Sequence, residues 1–202
     1  MSSKFFEIAF TPNVLAVQEK QKSRAIYARS ESGETTTAAL GGAEVDFIEQ
    51  RDGFYLATVG ETGWPYVQFR GGPRGFLRVL DERTLGFADF RGNRQYVSVG
   101  NLSGNDKSAL FLMDYANRRR LKILARAEIV EDPGTLARLK PEGYAAKIER
   151  ALIFHIEAFD WNCPQHITPR YTDDEVKEMI EPLNEYIEKL EKELEDLKRG
   201  EQ

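Results

Sequence analysis

What most restricts the fold is a run of short strand-forming segments between Gly53 and Phe159, each stopped by turn residues. Phe54-Tyr55-Leu56-Ala57-Thr58-Val59 is rich in aromatic and β-branched residues, and Gly60-Glu61-Thr62-Gly63 follows it as a turn. Trp64 to Arg70 then reads as the returning strand of a hairpin. Gly71-Gly72-Pro73-Arg74-Gly75 breaks the pattern before Phe76 to Leu80 resumes it. Beyond the Asp81-Glu82-Arg83 turn, Thr84 to Ala88 is the next strand. Ser108 to Tyr115 and Arg120 to Val130 are longer, and Ala151 to Phe159 alternates Leu152, Phe154, Ile156 and Ala158 on one face. Short helices are expected at Arg94 to Leu102 and at Thr135 to Leu139, with Ser103 to Asp106 as a turn and Asp132-Pro133-Gly134 as a break. Six or seven strands with interspersed helices predict a mainly β, α+β domain built as a small barrel.

The flanks differ from this pattern. Residues 1–50 read as a helical or irregular extension, 51–171 as the barrel domain and 172–202 as an amphipathic helix. Within the extension, Asn13 to Ala28 fits one helix and Ser30 to Thr37 a polar linker. Gly42 to Gln50 fits a short helix that sets Val45, Phe47 and Ile48 against a core. The last segment opens on Thr172-Asp173-Asp174-Glu175, the spacing of a capping box. Val176, Ile180, Leu183, Ile187, Leu190, Leu194 and Leu197 then follow in steps of four and three, an a/d heptad seam with charged flanks. Its own barrel or a second subunit can cover such a seam, and we expect the second subunit. Pro182 is expected to bend the start of this helix.

Charge and composition remove several function classes. The chain of 202 residues carries 28 Lys and Arg against 33 Asp and Glu, a net of −5. Residues 173–202 hold 12 acidic and 5 basic residues, a net of −7, which leaves +2 for the remainder. A general nucleic-acid binder is normally basic, so no nucleic acid is expected as partner. One cysteine, Cys163, permits neither an internal disulfide nor an all-cysteine zinc site; with only His155 and His166 besides, no metal is expected. Beside Pro164 and three residues from His166, Cys163 reads as structural rather than as a nucleophile. There is no apolar signal core and no apolar run near the ~18 residues of a bilayer span, so a cytoplasmic location without a membrane partner is expected. Gly-x-Gly-x-x-Gly, Walker, His-Glu-x-x-His and Gly-x-Ser-x-Gly motifs are missing, and no catalytic acid or base can be assigned.

Three clusters retain chemical interest. Asp89-Phe90-Arg91-Gly92-Asn93-Arg94-Gln95 follows a strand and is expected to open a helix. Its two arginines, an amide donor and free helix N-terminal amides can bind a phosphate. Arg118-Arg119-Arg120 sits at a turn between two strands. Phe159 to Arg170 is dense in groups that stack or hydrogen-bond: Trp161 offers a face, and Gln165, His166 and Arg170 offer donors. Taken singly, each arginine cluster reads better as a solvated surface, and the Trp161 segment reads as readily as a cover for the end of the barrel.

Taken together, these stretches resemble the pyridoxamine 5′-phosphate oxidase-like, FMN-binding split-barrel proteins. The likeness is carried by Phe54 to Val59 with Gly63 to Pro73, by Phe87 to Gln95, by Leu112 to Leu121 and by Asp160 to Ile167. It implies an antiparallel split barrel, a homodimer, and FMN bound at the subunit interface. By that likeness Tyr66, Val67, Gln68, Phe69 and Arg70 run along the flavin ring, and Arg91, Asn93, Arg94 and Gln95 hold the FMN phosphate. Arg118 and Arg119 contribute from the facing strand or the other subunit, while Trp161, Gln165, His166 and Arg170 close the site from the partner. A dianionic phosphate suits paired guanidinium forks, and the Gly71-Gly72 pair would let the backbone approach closely. The Arg/His motif with which the true oxidases grip their substrate phosphate is not found, so vitamin B6 oxidation is not the expected reaction. The implied function is an FMN-dependent oxidoreductase acting through flavin N5 on a small molecule, with NAD(P)H as a possible donor. The alternatives are a flavin-binding or stress-related module without turnover and a deazaflavin-dependent reductase.

Overall fold

The computed structural model describes residues 3–31, 39–161 and 163–200. Most of the predicted 30–37 linker, and Asn162, lie outside the described residues. The chain divides into two compact units, one of residues 1–114 and 119–164, the other of 115–118 and 165–202.

The first unit is built on seven antiparallel strands: β1 (Gly53–Val59), β2 (Pro65–Gly71), β3 (Arg78–Asp81), β4 (Thr84–Phe90), β5 (Lys107–Asp114), β6 (Arg119–Val130) and β7 (Ile148–Trp161). Their order in the sheet is β2-β1-β5-β6-β7-β4-β3. Its helices are α1 (Ser3–Ala9), α2 (Pro12–Lys20), α3 (Arg24–Glu31), α4 (Gly42–Glu49), α5 (Val97–Gly104) and α6 (Pro133–Leu139).

Ring contacts show that this sheet curls. Phe54 on β1 lies 5.4 Å, centroid to centroid, from Phe87 on β4 and 6.4 Å from Phe154 on β7, although neither strand pairs with β1. Phe76 stacks on Phe54 at 5.8 Å and meets Phe87 edge-on at the same distance. All four rings are buried. Strands at opposite ends of the ladder are thus drawn around one aromatic core, the antiparallel split-barrel arrangement expected. Alternation does the rest: Phe54 and Leu56 point inward from β1, and Leu110 and Leu112 from β5.

Four local expectations are corrected. The single helix over Asn13–Ala28 is two, because α2 ends in a Schellman closure. Lys22 takes a left-handed φ of 58°, its N–H donates to the Glu19 carbonyl, and the Ser23 N–H donates to the Gln18 carbonyl. Without a glycine at Lys22, the sequence carries no sign of this stop. Phe76 and Leu77 precede β3 instead of belonging to it; the Phe76 N–H closes a turn on the Pro73 carbonyl and both side chains are buried. The helix expected from Arg94 begins at Val97, because Arg94 and Tyr96 adopt left-handed φ values of 65° and 55°. Strand β7 starts at Ile148, three residues early, since β4 extends to Phe90 and pairs with it there.

In the second unit α7 (Asp173–Gly200) is a 28-residue helix running on through Pro182. Its capping box forms as read: the Glu175 carboxylate accepts from the Thr172 N–H at 2.7 Å, and the Glu175 N–H donates to Thr172 Oγ1 at 3.2 Å.

Phe54→Ala is expected to cost about 3–5 kcal/mol, since the ring anchors three others. Chemical denaturation checks this; a loss under about 1 kcal/mol would show that the rings do not hold the sheet closed.

Candidate functional site

Strand β2 is an edge strand whose side chains alternate between two surfaces. Tyr66, Gln68 and Arg70 are half-buried on one, while Val67 and Phe69 are exposed on the other. An extended strand cannot turn five consecutive side chains toward one ring, so the expected β2 set divides in two.

The outer pair belongs to an apolar sheet surface. Val67 lies in register with Ala57, Ala109 and Leu124 on β1, β5 and β6; Phe69 lies in register with Tyr55, Phe111 and Lys122. A depression of about 400 Å³ opens on this face, apolar but for Lys122, which pairs with Asp160 at 2.7 Å. Phe69 also explains a glycine. A Cβ on Gly71 would come within 2.9 Å of its ring and one on Gly53, directly opposite, within 2.3 Å. A Cβ on Gly72 would meet Phe76 at 2.6 Å. The Gly71-Gly72 pair therefore makes room for two rings of its own chain, and no approach by a ligand is needed to account for it.

The inner set meets the segment that leaves β4. Gln68 and Arg70 line a concavity of about 50 Å³ with Asp89, Asn93, Arg94 and Glu149. The backbone here is held in an unusual shape, with left-handed φ at Arg94 and Tyr96, each costing on the order of 1–3 kcal/mol. Asn93 Oδ1 accepts from the Gln95 N–H at 3.2 Å, an Asx turn that spends the carbonyl and leaves the amide nitrogen for another partner. Gln68 Oε1 likewise accepts from the buried Ser98 hydroxyl at 2.8 Å, again leaving its nitrogen. Gln68 and Asn93 thus add donors to a lining that also holds two carboxylates.

Its carboxylates are paired. Arg70 Nη1 donates to Asp89 Oδ1 at 2.7 Å, and Arg150 Nη1 to the other carboxylate oxygen at 3.3 Å. Burial pushes the Asp89 carboxyl up, and the two guanidinium groups pull it only part of the way back. Arg70 Nε is buried without a hydrogen-bond partner. Arg91 Nε donates to Glu149 Oε1 at 2.6 Å, and the Tyr96 hydroxyl donates to the same oxygen at 3.3 Å. Arg91 is therefore engaged by a carboxylate that a phosphate would have to displace. The amides of a helix start at Arg94 are not available, because α5 begins at Val97; Gln95 does not line the concavity.

The remaining expected residues gather elsewhere. The Trp161 indole N–H donates to Glu44 at 2.6 Å, and its ring stands edge-on to Phe47 at 4.7 Å. The Arg119 guanidinium covers both rings, at 4.8 Å from Trp161 and 5.1 Å from Phe47. Trp161 and Arg150 stand at opposite ends of β7, eleven residues or on the order of 35 Å of extended strand apart. Within one subunit Trp161 and Arg119 therefore do not share a small ligand with Arg70 and Arg94. In the second unit, Arg118 (φ 53°) closes a turn on the Tyr115 carbonyl and Arg170 lies 5.1 Å over the Tyr115 ring. Gln165 and His166 are exposed there, and Cys163, at the end of the first unit, is exposed instead of packed.

Asp89, Tyr96, Ser98 and Glu149 are the site residues that sequence reading passes over. The expected start of β7 at Ala151 excludes Glu149 and Arg150, which lie inside the strand; this charged pair beside the expected strand was the available signal. Among the described residues, no group of three or more His, Cys, Asp or Glu side chains converges as a metal site, and no helix is long and apolar enough to cross a membrane.

The hydrogen bond from Arg91, helped by the Tyr96 hydroxyl, holds the Glu149 carboxyl below the usual carboxylate range. A lowered folded-state value stabilises the fold above the ordinary value of about 4.3 and is lost as pH falls through the lower one. Glu149→Gln is expected to show a shallower loss of thermal stability than the parent from about pH 5 downward. Asp89 acts with the opposite sign but is common to both proteins. Parallel acid limbs would show that the Arg91–Glu149 pair does not form.

Residues 40–160, more than half of the chain, match the protein-family model described as pyridoxamine 5′-phosphate oxidase. HupZ of Group A Streptococcus is similar at 17% identity, with a TM-score of 0.51 over 65% of this chain and 99% of that one. At that identity the likeness concerns the fold. A candidate pyridoxamine 5′-phosphate oxidase from Lactobacillus delbrueckii is 26% identical over 62% of this chain and 96% of its own, with a TM-score of 0.48. An FMN-binding protein from Syntrophomonas wolfei is 11% identical over 74% and 97%, also with a TM-score of 0.48. A comparison with the curated proteins found no match.

Proposed function

The chain belongs to the pyridoxamine 5′-phosphate oxidase family, and from that premise we propose that it is an FMN-binding flavoprotein that works as a homodimer. The observation that carries the reading is the donor-lined concavity between β2 and the Asp89–Tyr96 segment. Gln68, Asn93, Arg94 and the unpartnered Arg70 Nε suit a ligand rich in carbonyl and phosphate oxygens. At about 50 Å³ the concavity is far below the ~300 Å³ at which ligand pockets begin. One chain thus supplies one wall, and a second copy has to supply the other.

In this reading Arg94 and Asn93 hold the phosphate, with Arg91 joining if it exchanges Glu149 for the ligand. Gln68, with Arg70 behind it, faces the polar edge of the flavin ring, and Tyr66 shares that side of β2. Val67 and Phe69, with the apolar face around them, meet the partner subunit. Trp161, Gln165, His166, Arg170, Arg118 and Arg119 are assigned to the partner's wall, in keeping with the distance along β7. Bound FMN would supply hydride or electron transfer through its N5. The protein's share is to orient the ring, exclude water and set the local charge, with a small molecule and a donor such as NAD(P)H as the reactants. One observation favours a second reading, a flavin-binding module without turnover. Both carboxylates of the concavity, Asp89 and Glu149, are tied to arginines and neither is left as a proton carrier.

Arg94→Ala is expected to weaken FMN binding by about 1.5–3 kcal/mol, roughly ten- to a hundredfold in Kd, read by quenching of flavin fluorescence. Unchanged affinity would put the phosphate elsewhere. A parent protein that takes up no FMN at all would end the flavin reading. Reduction of the bound flavin by NAD(P)H, followed by reoxidation with an acceptor, distinguishes an oxidoreductase from a module.

A further inference from the structure

The seam of α7 stands open. Its seven apolar residues, from Val176 to Leu197, are each between 39% and 68% exposed. A helix of 28 residues is about 42 Å long at 1.5 Å per residue, and its seam is a stripe that water penalises along nearly the whole of that length.

The pattern names the occupant. In the heptad set by the seam, the a positions beyond Asp173 in the first turn are Ile180, Ile187 and Leu194, and the d positions are Val176, Leu183, Leu190 and Leu197. With helices parallel, β-branched residues at a with leucine at d favour two strands, and Ile180 and Ile187 at a with Leu183, Leu190 and Leu197 at d fit that pattern. The flanking e and g positions hold Lys177, Lys198, Glu191 and Glu193 as their only charges, two of each sign. The acidic excess of the helix sits elsewhere: Asp174, Glu181, Glu188 and Glu195 occupy b, on the far side from the seam. Two copies can therefore meet along the seam without bringing their net negative charges together. Pro182, at c, is off the seam as well.

Orientation follows from register. In parallel, all seven layers pair like with like, and Glu193 at g reaches Lys198 at e of the other copy, twice by symmetry. An antiparallel pair sets a against d and leaves either Val176 or Leu197 without a layer partner. We infer that α7 is the strand of a parallel, two-stranded coiled coil formed with a second copy of this chain. The inference is independent of bound flavin and is tested without it.

Single cysteines in a Cys163→Ser background provide the test, on the full chain in a glutathione redox buffer and read on non-reducing gels. Leu197→Cys and Val176→Cys, at opposite ends of the seam, are each expected to form a disulfide-linked dimer. Lys192→Cys, at f on the outer face, is expected to give at least tenfold less. Failure of both single variants, with cross-linking in a chain carrying Val176→Cys with Leu194→Cys or Ile180→Cys with Leu197→Cys, would mean an antiparallel pair. Cross-linking by none of them would leave the seam to another occupant, and equal cross-linking at Lys192→Cys would mean no ordered seam. Any of the three overturns the proposal. Helix content by circular dichroism confirms that each variant is folded.

Discussion

The contact between Phe54 and Phe87 turns a ladder into a barrel. The strand ladder pairs β1 with β2 and β5, and β4 with β3 and β7, so backbone pairing alone would leave a twisted open sheet. Burying Phe54, Phe76, Phe87 and Phe154 together supplies the reason to curl, because rings on strands far apart in the ladder lose water only by meeting. At the rim, Arg70 on β2 and Asp89 on β4 repeat the closure in polar form. A desolvated ion pair of this kind is weak evidence for stability but costly to break from one side. Curling also brings β2 beside the segment after β4, and every feature of the concavity depends on that.

Within the concavity, the local hydrogen bonds decide what is available to a ligand. The Asn93 turn and the Ser98 hydroxyl each take a carbonyl oxygen and leave an amide nitrogen, while the Asx turn and two left-handed residues shape the loop that carries Arg94. Arginines are less free than their number suggests. Asp89 takes part of Arg70 and Arg150, and Glu149 takes Arg91, so of these arginines none is left as a bare cation.

The same economy recurs on the two apolar surfaces. The outer face of β2, β1, β5 and β6 is a set of cross-strand rows, Val67, Ala57, Ala109 and Leu124 in one, three aromatic rings and Lys122 in the next. The α7 seam is its helical counterpart. Each follows from periodicity, two residues on a strand and alternating steps of four and three along α7, and each leaves apolar side chains exposed to water.

Periodicity was legible in the sequence wherever local rules act alone. Alternation marked the strands, the Thr172–Glu175 capping box marked the start of α7, and the family likeness marked the barrel. The Lys22 stop in α2, the delayed start of α5 and the early start of β7 were not legible. The first two depend on left-handed backbone at residues other than glycine, which has no letter of its own, and the third on pairing with Phe90. Nor could the sequence tell that Trp161 lies at the far end of β7 from Arg150, or that Val67 and Phe69 turn away from Gln68 and Arg70. By itself the sequence determined which segments are strands and helices and which of their faces are apolar, since those follow from neighbours along the chain. Which charges pair, which donors stay free and which residues share a surface was decided by the tertiary structure alone, because those properties arise only when the sheet curls and distant strands meet.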